Sequence, residues 1–166
     1  AALSLAAAAE ISGIKKLVLY EPPFVGVDKT AHQPPADHKQ QLEALIRQDR
    51  RGDAIKFFIT KVMGAPAFLV WFMRLLPFWK KLKAVAHTLP YDMAIMGDFS
   101  FPESLAKSVK IPTLVLGGEK SPVVLRKAVE YTAKAMPNAK SHLLAKQSHN
   151  VSMKVLAPAM IEFLIK

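Results

Sequence analysis

There is no cysteine among the 166 residues. Disulfides, thiolate catalysis and a cysteine-ligated zinc site are therefore excluded. The five histidines are scattered and never spaced as H-E-x-x-H, so neither a metal centre nor another cofactor is expected. No apolar run reaches the roughly 18–20 residues that span a bilayer. Acidic side chains are scarce, 13 against 23 lysines and arginines, for a net charge of +10. The lysines are dispersed (Lys15, Lys16, Lys80, Lys81, Lys83, Lys107, Lys110, Lys134 and Lys140), with no aromatic-interleaved basic stripe. Dispersed charge reads as a solvated surface, and no nucleic-acid partner is expected. The opening AALSLAAAA is as apolar as the centre of a secretory leader. Nothing basic precedes it and no convincing cleavage site follows, so it reads as structure and the location as cytoplasmic.

The residues present are those of a folded domain with a core: 51% are hydrophobic and 22% charged. AALSLAAAAE favours a helix that is apolar all round, hence buried, ending near Gly13. Residues 17–20 (LVLY) form a short apolar run that suits a buried parallel strand, closed by Pro22 and Pro23. The stretch 26–36 reads as loop. Asp37 can cap a helix carrying Leu42, Leu45 and Ile46, with Gly52 as its stop. Asp53 can cap another carrying Ile55, Phe58, Ile59 and Val62. Residues 66–86 are helical, with a break at Pro77.

IPTLVLGG (111–118) predicts a second strand and 123–136 an amphipathic helix. SHLLA (141–145) predicts a third strand. Ser152 can cap a last helix with Val155, Leu156, Ala159, Met160, Phe163 and Leu164 in one stripe.

Strands alternating with helices predict an α/β fold with a parallel sheet, interrupted by an all-helical insertion. Sites in such sheets lie at the carboxyl ends of the strands. Three segments qualify: YEPPF (20–24), GGEKSP (117–122) and KQSHN (146–150). All three carry polar or ionisable groups.

In that order and spacing, KKLVLYEPPF, the helices of 37–96, IPTLVLGGEKSP and SHLLAKQSHNVSMKVLAPAMIEFL resemble the C-terminal part of the alpha/beta-hydrolase superfamily. The resemblance implies the C-terminal half of a hydrolase sheet, with residues 1–36 and 97–166 as an incomplete core and 37–96 as a helical cap. It also implies a nucleophilic serine in G-x-S-x-G. No two of the seven glycines lie four residues apart, so that motif is absent. The nucleophile and the N-terminal half of the fold are expected upstream, and the chain alone is expected to be inactive.

Within the resemblance, His149 is the expected catalytic base. The acid is open between Glu21, Glu119 and, behind them, Asp98. Ser121 occupies the position where most relatives carry an aspartate; some place the acid after the preceding strand, where Glu21 falls. His32, His38, His87 and His142 read as structural or surface residues. The aromatic segment with Phe68, Trp71, Phe72, Phe78 and Trp79 has three readings: packing core, the lining of an acyl pocket, or a membrane-surface helix beside Arg74, Lys80, Lys81 and Lys83. The expected function is a share in an esterase-type reaction on a small acyl or apolar substrate held under the cap. The alternatives are a non-catalytic small-ligand module and a basic membrane-associated protein.

Overall fold

The computed structural model describes residues 1–24, 26, 28 and 31–165. Parts of the expected 26–36 loop, at 27, 29 and 30, lie outside the described residues. The described chain forms two compact units. One is Ala1–Ala31 with Phe99–Lys166, and the other is His32–Asp98.

The first unit is built on three parallel strands in the order β1-β2-β3: Leu17–Tyr20, Thr113–Gly118 and Ala139–Leu144. Leu17 pairs with Thr113 and Thr113 with Ala139, so the three carboxyl ends lie side by side. The period-two alternation of a strand divides its side chains between two faces. Leu17, Leu19 and Val115 go to one face, in a core with Leu5, Val129, Ala133 and Met136. That face is covered by α1 (Ala2–Glu10), α7 (Glu103–Ser108) and α8 (Val123–Ala135). Leu116 and Leu144 go to the other face with Leu156 of α9 (Met153–Ile165), joined by Val18, Leu114 and Met160. Helices on both faces of a parallel sheet explain why β1 and β2 read as continuous apolar runs, whereas β3 at the edge exposes Lys140, Ser141 and His142.

Three expectations here are corrected. The helix α1 is not buried all round. Leu5 is fully enclosed but Leu3 is exposed, because only one side of the helix meets β1 and α7. It also ends at Glu10 rather than Gly13, since Ile11 takes extended backbone angles (φ −98°, ψ 105°). The stripe on α9 is buried mainly through Leu156, while Val155 and Leu164 stay exposed. Pro158 sits inside that helix, where it removes one backbone donor.

The second unit is all-helical: α2 (His38–Arg47), α3 (Arg51–Phe57) running into a π-turn (Phe58–Val62), α4 (Ala67–Arg74), α5 (Phe78–Val85) and α6 (Leu89–Met96). Ile55, Ile59, Val70, Trp79 and Ala86 make its core. The expected break falls at Pro77, which precedes the first residue of α5. Gly52 does not stop α2. That helix ends at Arg47, and Gly52 lies inside α3. There a Cβ would meet Trp79 and Lys83 at 3.7 and 4.0 Å, ordinary van der Waals contact, so packing does not demand a glycine. Asp37 and Asp53 do not cap through their side chains. Asp37 accepts from Gln41 Nε2 at 2.9 Å, and Asp53, in the first turn of α3, accepts from Arg50 Nε at 2.9 Å. His38 is buried, with its ring nitrogens 2.7 Å from the Pro35 carbonyl and 3.1 Å from that of Gly97. Among the described residues no helix is long and apolar enough to cross a membrane.

Candidate active site

The aligned strand ends bring three loops together. β1 passes directly into Glu21, whose φ of +42° lies in the left-handed region. A glutamate there, followed by proline, is strained. The conformation is fixed by its surroundings: the Glu21 amide donates to the Leu116 carbonyl at 2.8 Å, and the carboxylate is held at both oxygens. Oε1 accepts the Gly118 amide at 2.9 Å and the Ser121 hydroxyl in a short bond. Oε2 lies 2.6 Å from His149 Nδ1, which donates to it. The Glu21 side chain is 1% exposed and that of His149 71%. A buried anchor therefore presents an open imidazole, whose Nε2 has no hydrogen-bond partner among the described residues. With Nδ1–H committed to Glu21, Nε2 of the neutral ring is the acceptor.

The two other loops are stitched to each other. Lys120 N–H donates to the Gln147 carbonyl at 2.7 Å and Glu119 N–H to the Leu144 carbonyl at 3.1 Å. The Glu119 carboxylate accepts the amide of Lys146, itself a positive-φ residue, at 2.9 Å. The structure thus brings Glu21, and not Glu119, to the histidine; Glu119 braces the loop that carries it. Asp98 lies in the helical unit. Tyr20 donates its hydroxyl to the Ser148 carbonyl at 2.8 Å and tethers the residue before His149. Sequence reasoning missed this tether, whose only signal was an aromatic hydroxyl next to Glu21. Gly118 leaves no room for a side chain: a Cβ would stand 2.7 Å from the Gln147 carbonyl oxygen and from Ser121 Oγ. Among the described residues no three histidine, aspartate or glutamate side chains are grouped to hold a metal ion.

The chain superposes on an alpha/beta hydrolase from Sphaerobacter thermophilus DSM 20745, with a TM-score of 0.84 and 42% identity over 98% of this chain. The chain carries the C-terminal portion of the alpha/beta-hydrolase fold. It spans 63% of that relative's length. MenH from S. aureus shares the fold at 21% identity and a TM-score of 0.53, over 98% of this chain and 64% of its own. No protein-family model matches the chain, and neither does any curated protein.

In this hydrolase fold the electrostatics of the pair follow from its partners. Burial alone would raise the Glu21 carboxyl. The bonds from Ser121, the Gly118 amide and His149, with the histidine's charge, outweigh burial and hold it below its ordinary value of 4.5. Tyr20 is pushed up to about 12, first by burial and then by the Glu21 carboxylate, so it remains a donor. A depressed carboxyl stabilises the folded state fully above the unfolded value, and that stabilisation is lost as pH falls through the folded value. The stability difference between the protein and its Glu21→Gln variant is therefore expected to narrow as pH falls below about 4.5. Urea unfolding of both proteins at a series of acidic pH values checks this. A difference that grows on acidification would contradict it.

Proposed function

We propose that this chain supplies the base and the acid of a serine hydrolase acting on a carboxylic ester or a related acyl compound. The observation that carries the reading is the 2.6 Å contact between a buried, triply hydrogen-bonded Glu21 carboxylate and His149 Nδ1. That arrangement fixes the tautomer with a free Nε2, which is what a general base needs to take a proton from a serine and return it to the leaving group. The acid stabilises the imidazolium formed on the way.

The nucleophile belongs to the part of the fold that this chain does not span. Residues 37–96 form the cap in this reading. The exposed Phe68, Trp71 and Phe72 of α4 are apolar surface suited to an acyl group.

Fluorophosphonates label activated serines and so test the reading directly. The 166-residue chain is expected to keep its mass of 18.3 kDa, unlabelled. A form extended upstream through the nucleophile is expected to take one adduct. An adduct on the 166-residue chain would place the activated serine among its own residues and overturn this division of labour.

A further inference from the structure

We propose that Ser121 is a positioning residue that fixes the rotation of the Glu21 carboxylate so that one oxygen faces the histidine. The inference rests on the Glu21–His149 reading above and goes one step beyond it. Ser121 lies in the turn after β2, 100 residues along the chain from Glu21, and is 4% exposed. A buried hydroxyl is costly unless bonded, and this one donates to Glu21 Oε1. Its own amide donates to the Gly118 carbonyl at 3.0 Å, which fixes the turn. The Gly118 amide donates to the same Oε1 at 2.9 Å.

Two donors on one oxygen leave Oε2 alone for His149 Nδ1 at 2.6 Å. The carboxylate is thus held in one rotation about its terminal torsion, a torsion that is otherwise broad. The amide alone would hold Oε1 from one side; the hydroxyl closes the other. The titratable groups against Glu21 are His149, which lowers its carboxyl, and Tyr20, whose hydroxyl the carboxylate raises. Glu119, on the same turn as Ser121, turns its Oε2 to the Lys146 amide.

The test uses the 166-residue chain and Ser121→Ala, with carbon-detected NMR titration of the Glu21 carboxyl and observation of the low-field His149 Nδ1 proton. Ser121→Cys, nearly isosteric and a weaker donor, is the second variant in case alanine does not fold. In the parent chain Glu21 is expected to titrate below its ordinary value and the low-field proton to be present. Ser121→Ala is expected to raise the Glu21 titration and weaken that proton, with Ser121→Cys between the two. In the form that carries the nucleophile, kcat is expected to fall about ten- to a hundredfold with KM unchanged. If the parent behaves as expected and both variants match it, the role of Ser121 is refuted while the Glu21–His149 pair stands. If the parent itself shows neither the depressed carboxyl nor the low-field proton, the pair is refuted and the role of Ser121 falls with it.

Discussion

Replacing His149 with alanine, in a form of the protein that carries the nucleophile, is expected to lower kcat by about 10^6-fold. The size follows from the way such groups act as a unit. Without an acceptor beside it, a serine hydroxyl is a weak nucleophile, and the leaving group has no proton to take. KM should change little, because His149 makes its contribution in the transition state. The side chain is 71% exposed, so its removal opens no cavity in either core and the fold should persist. Steady-state kinetics on an activated ester, with unfolding measured alongside, separates the two effects. A loss within tenfold, on a folded variant, would remove His149 from the chemistry.

Glu21→Gln is expected to lower kcat by about 10^4-fold. The reason lies in the direction of the hydrogen bonds. The Gly118 amide and the Ser121 hydroxyl both donate to the position of Oε1, so the oxygen of the new amide must stay there. Its NH2 then faces His149 Nδ1, where the carboxylate oxygen had been. Two donors cannot share that contact, and the neutral ring must move its proton to Nε2. The base is then blocked at the nitrogen that should receive the serine proton. Glu119→Gln gives the contrast: its carboxylate binds a backbone amide in the histidine loop, so kcat should fall far less than with Glu21→Gln. Equal losses for the two variants would contradict this assignment of the acid.

Much of the sheet was legible in the residues. LVLY and TLVLGG are strands because short apolar runs ended by proline or glycine have few other ways to be buried. Less legible were features fixed by packing at a distance. Gly52 looks like a helix stop by propensity, but it lies within the first turn of α3, and α2 has already ended at Arg47. The apolar face of α1 looks fully buried by composition, yet only the side meeting β1 and α7 is covered. Pro158 is carried inside a helix against local preference.

The candidate site divides in the same way. The sequence by itself determined the order of strands and helices, the absence of a G-x-S-x-G elbow, and the three polar loops that a parallel sheet must gather at one edge. It named His149 and left Glu21 and Glu119 both open, because each carboxylate follows a strand end. Only the tertiary structure shows which of them meets the imidazole. The positive φ at Glu21 turns its carboxylate toward donors 97 and 100 residues along the chain, and toward an imidazole 128 residues away. No local pattern encodes such contacts, because they exist only once the register of β1, β2 and β3 has set the three loops side by side.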